Sequence, residues 1–113
     1  MNILTELKPL IVSLGLPIET GVFSGVAPDE YVVITPLLDD FMLFGDDRPE
    51  FESQEARLSL FSKGNYMALK NSISMALLNA DFTITERRYI GHEDDTKYHH
   101  YAIDCAKIYK LGE

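Results

Sequence analysis

The chain contains a single cysteine, Cys105. A disulfide framework within one chain is therefore excluded, and so is a four-cysteine zinc site. Basic residues are scarce. Ten Lys and Arg stand against eighteen Asp and Glu, a formal net charge of −8 with a pI near 4.7. Phosphate backbones and anionic lipid repel such a surface, and no basic patch offsets it. Nucleic-acid and membrane partners are not expected. No apolar run approaches the roughly 18 residues of a membrane span. Residues 1–15 place Glu6 before Lys8 and lack a basic region followed by a cleavage site, so they read as part of the fold and not as a signal peptide. Internal repeats, low-complexity tracts and linkers are missing too.

What is present describes an ordinary globular chain. Apolar residues make up 46% of the 113 and charged residues 25%, which argues against wholesale disorder. The expectation is one domain, 1–113, able to bury about two thirds of its unfolded surface. The charge is uneven. Residues 1–56 hold eleven acids and two bases, a net −9, whereas 57–113 hold seven acids and eight bases, a net +1. One region of the folded surface should be strongly acidic and another near neutral.

Ile3, Leu4, Leu7, Leu10, Ile11 and Leu14 recur at helical spacing and predict a first helix over about 3–14, with Thr5 as its cap and Gly15 and Pro17 as its stop. A short strand around Thr20–Phe23 follows, then Tyr31-Val32-Val33-Ile34-Thr35, β-branched and aromatic. Pro36 either ends that strand or lies at a sheet edge. Leu37–Phe44 is either another strand or an apolar loop awaiting a partner. Glu52–Phe61 alternates, with Ala56, Leu58 and Leu60 on one face and Glu55, Arg57, Ser59 and Phe61 on the other. Asn65 caps a second helix to about residue 79, whose stripe is Tyr66, Leu69, Ile73, Ala76 and Leu77, with Ser74 away from it. Phe82–Ile90, interrupted by Glu86-Arg87-Arg88, and Lys97–Tyr109 form a hairpin around Gly91–Thr96. The order α-β-β-β-α-β-β predicts an α+β fold: a mostly antiparallel sheet with two main helices on one face.

No constellation carries chemistry. His92 and His99 approach across the hairpin, and Glu93, Asp94, Asp95 and His100 lie near them, but the spacing matches no metal motif. Between Asp39 and Glu50, Phe41, Leu43 and Phe44 stand where calcium ligands would be needed. Cys105 falls on the apolar face of the last strand, where a thiol is inert packing. Asp104 is expected to pair with Arg87 or Arg88 across the final hairpin. No catalytic, cofactor or metal site is expected. An oligomer interface is expected instead, formed by unlike patches: Asp39, Asp40, Phe41, Leu43, Phe44, Asp46 and Asp47 on one side, and Arg57, Arg87 and Arg88 on the other.

The whole-chain pattern resembles the small tail terminator, or tail-completion, proteins of long-tailed bacteriophages and prophages. The likeness runs from the N-terminal helix through the turn Ala27-Pro28, the strand Tyr31-Val32-Val33, an acid-rich stretch and the strand Ala56-Arg57-Leu58-Ser59-Leu60-Phe61. It continues through the helix with Tyr66, Leu69 and Ile73 to the hairpin ending Tyr98-His99-His100-Tyr101-Ala102-Ile103-Asp104. The resemblance implies a non-enzymatic structural protein without cofactor. It implies a ring, typically a hexamer, that caps the tail tube, ends its growth and presents the surface that joins the head. Implied partners are copies of itself, the tail tube protein and a head-completion or connector protein. The implied location is the head-proximal end of the tail in the virion, and the host cytoplasm during assembly. The alternatives are a neck or head–tail joining component of the same particle, and a small ligand- or metal-binding regulatory domain.

Overall fold

A computed structural model describes residues 2–20, 25–42 and 48–111. Helix α1 spans Ile3–Val12, and strands β1 (Ile18–Thr20), β2 (Glu30–Met42) and β3 (Phe51–Ser62) follow. Then come α2 (Tyr66–Asn79), β4 (Thr83–His92) and β5 (His99–Lys110). The order is the expected α-β-β-β-α-β-β. The five strands form one sheet in the order β1-β2-β3-β5-β4, in which only the short β1–β2 pair is parallel. This is an α+β fold.

Strand alternation decides where the core sits. Ala56, Leu58 and Leu60 of β3 point the same way as their register partners Cys105, Ile103 and Tyr101 of β5. With Val32 and Ile34 of β2 they meet Ile3, Leu7 and Ile11 of α1 and Ile73 and Leu77 of α2 in one buried cluster. Both helices thus cover one face of the sheet and leave the other bare. Burying each large aliphatic side chain there contributes about 1.5–3 kcal/mol.

Local chemistry explains the helix ends. Asn2, not Thr5, caps α1: its side chain accepts from Thr5 N at 2.9 Å, and the Thr5 hydroxyl lies 3.3 Å from Asn2 N. The pair is a reciprocal capping box with Thr5 at the third helical position. The Ile3 amide donates to Gln54 Oε1 on β3 at 2.7 Å, so the start of α1 is bonded to the sheet. Asn65 caps α2 as expected, accepting from Ala68 N at 3.2 Å. Lys107 of β5 joins both helices. It pairs with Glu6 of α1 and donates to the Ala80 carbonyl at the end of α2.

Of the short strand expected around Thr20–Phe23, Thr20 ends β1 and the rest lies outside the described residues. One element differs from expectation. The charged cluster Glu86-Arg87-Arg88 does not interrupt β4, which runs from Thr83 to His92 and absorbs irregularity in bulges at Thr85 and Ile90. Of the two expected roles of Pro36, ending the strand or lying at a sheet edge, the second holds, for β2 runs through it. The Val32 amide points outward, to Pro17 O at 2.9 Å, so the nitrogen of Pro36, four residues on, faces the same outer edge. β1 pairs only with Val32–Ile34, so no described strand requires a donor from Pro36. A bulge at Leu37 follows, and the strand continues to Met42.

Candidate assembly surfaces

Past Pro36, β2 continues along the start of β3 as an arm at one end of the sheet, backed by the end of β5, with Phe51 opposite Lys110 and Glu55 opposite Ala106. After the bulge, Asp39 and Phe41 share the helix-side face of this arm, opposite Gln54 and Glu52. Phe41 is 70% exposed, and Leu37, Leu38, Asp39 and Asp40 are exposed as well. Neither Asp39 nor Asp40 has an ion-pair partner among the described residues. Leu43, Phe44, Asp46 and Asp47, also expected at an interface, lie outside the described residues.

The three arginines do not share a surface. Arg57 lies on the bare face of the sheet and is held by Asp104 on β5, with Nε–Oδ1 2.8 Å and Nη2–Oδ2 3.0 Å. This corrects the expected pairing of Asp104 with Arg87 or Arg88. β5 lies between β3 and β4, and Arg57 is the register partner of Asp104 on the β3 side. The hydrogen bond to Asp104 holds the Arg57 guanidinium above its ordinary pKa. Arg88 lies 3.6 Å from Glu86 on β4. Arg87 points to the helix side, where Nη1 donates to Ser74 Oγ at 3.3 Å.

Ser74 was expected away from the helix stripe and is buried instead, its hydroxyl donating to Lys70 O at 2.7 Å. Between α2 and β4 runs a surface groove lined by Asn71, Ser74, Met75, Leu78, Ile84 and Arg87. Met75 and Leu78 are more than half exposed, and Arg87 has no carboxylate partner among the described residues. Sequence reasoning missed this groove. Its signal was the presence of Met75 and Leu78 beside the buried stripe of Ile73 and Leu77.

The bare face carries an aromatic stack across three strands. Tyr31 lies over Phe61 at 4.9 Å between centroids, and Phe61 over His100 at 4.3 Å. Tyr98 meets Tyr31 edge-on at 5.4 Å and donates its hydroxyl to Pro28 O at 2.5 Å. Burial lowers the pKa of His100 and raises that of Tyr31. The buried Nε2 of His100 has no hydrogen-bond partner among the described residues.

The histidines divide between faces. His92 and His99 do approach, with ring centroids 4.7 Å apart, and Tyr66 lies 4.9 Å from His99 on the helix side. His99 Nδ1 is 3.0 Å from Tyr89 Oη, and His92 Nδ1 is 3.3 Å from Asp94 Oδ1. His100 is on the opposite face. Among the described residues no three His, Cys, Asp or Glu side chains converge as metal ligands. Cys105 is fully buried, and burial pushes its thiol up to about 12. No described helix is long and apolar enough to cross a membrane.

The class defined by this arrangement is a two-layer α+β protein, with both helices on one face of a mostly antiparallel sheet. No family model matches the chain, and no curated protein does. Among solved structures, it is similar to a chain in the virion of a native gene transfer agent particle. The match has a TM-score of 0.50 and 10% identity, and covers 91% of this chain and 85% of that one.

Proposed function

We propose that this protein is a non-enzymatic structural subunit of a phage-like particle, a tail terminator whose ring caps the tail tube and offers the surface that joins the head. The observation that carries the reading is the shared fold with a virion chain over 91% of the residues. The whole-chain resemblance to tail terminators supports the finer role. So does a surface with an acidic, apolar arm at one end and, elsewhere, a groove whose arginine has no carboxylate partner among the described residues, which suits repeated contact between copies. The partners under this reading are further copies of the chain, the tube protein and a head-completion protein, and the location is the head-proximal end of the tail.

The test is deletion of the gene in the phage or prophage that encodes it, with the particles viewed by electron microscopy. Tails of uncontrolled length that fail to join heads are the expected result. Tails of normal length that still fail to join heads would assign the chain to the neck instead. Normal, infectious particles would refute both.

A further inference from the structure

We infer that copies of this chain join head to tail, with the arm of one copy seated in the groove between α2 and β4 of the next. The inference deepens the reading above by naming the surfaces of contact, and it stands on three observations. First, the two surfaces match in chemistry. The arm presents Phe41 and Asp39 on one face of β2, two residues apart, and the groove presents Met75, Leu78 and Ile84 around Arg87. Phe41 supplies an apolar ring for the apolar walls, and Asp39 a carboxylate for the guanidinium.

Second, both charged groups lack a counterion among the described residues of their own chain. Arg57 and Arg88 are engaged, by Asp104 and Glu86, whereas Arg87 has only the Ser74 hydroxyl. A guanidinium has five donors and accepts a carboxylate in a bidentate fork, so Arg87 retains capacity for a second partner. Third, the surfaces lie at opposite edges of the sheet. The arm is built on β2, toward the β1 edge, and the groove on β4, the last strand at the other edge. A contact between unlike patches is heterologous, and it closes into a ring or propagates as a filament.

The contact is made by side chains and not by strand addition. Pro36 removes a donor from the outer edge of β2, and bulges at Leu37, Thr85 and Ile90 break the regular edges of both strands.

Disulfide trapping tests the pairing, because it captures brief contacts as well as lasting ones. One chain carries Glu52→Cys, opposite Phe41 on the same face, and a second, size-tagged chain carries Asn71→Cys in the groove wall, so Phe41, Leu78 and both charges remain. Asn71 is exposed and Glu52 half-buried, and the native Cys105 is fully buried. Under mild oxidation the mixed dimer should dominate over both homodimers. Adding Arg87→Asp to the Asn71→Cys chain should reduce the mixed dimer about fivefold, the effect of roughly 1 kcal/mol. Adding Asp39→Arg to the Glu52→Cys chain as well should restore it, since the charges are then exchanged. Circular dichroism of each variant separates loss of contact from loss of fold. Homodimers in excess, or a mixed dimer indifferent to both charge changes, would overturn the inference. That outcome together with overlong, headless tails on gene deletion would leave the tail-terminator reading standing and remove only this interface.

Discussion

Arg57 and Asp104 stand opposite each other on β3 and β5 and grip through two hydrogen bonds, 2.8 and 3.0 Å. The pair lies on the face that the helices leave bare. Asp104 is nearly buried, with 8% of its side chain exposed, while Arg57 keeps 33%. The guanidinium is thereby committed within its own subunit, which separates it from Arg87, whose fork has no carboxylate among the described residues.

Asp104→Ala should therefore cost stability without affecting any contact between copies. Loss of a charge-assisted pair that is partly open to water should lower unfolding free energy by about 1–3 kcal/mol. The double change Arg57→Met with Asp104→Leu should cost less than Asp104→Ala alone, because it strands no charge. Urea denaturation of the two variants measures both values.

The helices and strands were legible because their signals are local. Asn65 with the stripe Tyr66, Leu69, Ile73 and Leu77 defined α2, and alternation in β3 put Ala56, Leu58 and Leu60 together on the face that the core takes up. The partner of Asp104 was not legible. A hairpin suggests its own two strands as neighbours, yet β5 is also flanked by β3, more than forty residues earlier in the chain. Pairing order is a tertiary property, and neither propensity nor spacing encodes it. The surface was half legible. The exposed acids and Phe41 of the arm stand out as an apolar run among charges, but Arg87 and the groove depend on which face β4 turns to α2 after the bulge at Thr85.

His100 makes stability pH-dependent. Burial against Phe61 disfavours its charged form and lowers its pKa in the folded state. As pH falls through the unfolded-state value of about 6.5, the unfolded chain takes up a proton that the native chain refuses. The stability His100 contributes is complete above that value and is lost as pH drops toward the folded-state pKa. His100→Phe keeps a ring to stack on Phe61 and removes the titration. Its unfolding free energy should fall less steeply than the native protein's as pH drops below about 6.5. Equal slopes in parallel denaturation series would contradict this.

Cys105 should be silent toward thiol reagents in the native state. It is fully buried between Ala56 and Ile84 in register, and its thiol is pushed up to about 12, so almost no thiolate exists at neutral pH. Labelling with a chromogenic disulfide should yield one equivalent in strong denaturant and proceed in native buffer only as fast as the core opens. Rapid stoichiometric labelling of the folded protein would show that the last strand is far less secure than its packing indicates.

Phe41 and Leu77 should separate assembly from folding. Leu77 has no exposed surface and lies in the core with Ile73 and Ile103. Leu77→Ala leaves a cavity and should cost about 2–5 kcal/mol, enough to lower the melting temperature sharply. Phe41 is 70% exposed on the arm. Phe41→Ser removes little buried area and should change subunit stability by no more than about 0.5 kcal/mol. If the arm seats in a neighbour, that same change deletes the apolar half of the contact, so it should weaken self-association measured by sedimentation far more than it shifts the melt. A Phe41→Ser protein that melts like Leu77→Ala would mean that the ring is part of the subunit's own core. One that melts normally and sediments as the native protein does would mean that the copies join elsewhere.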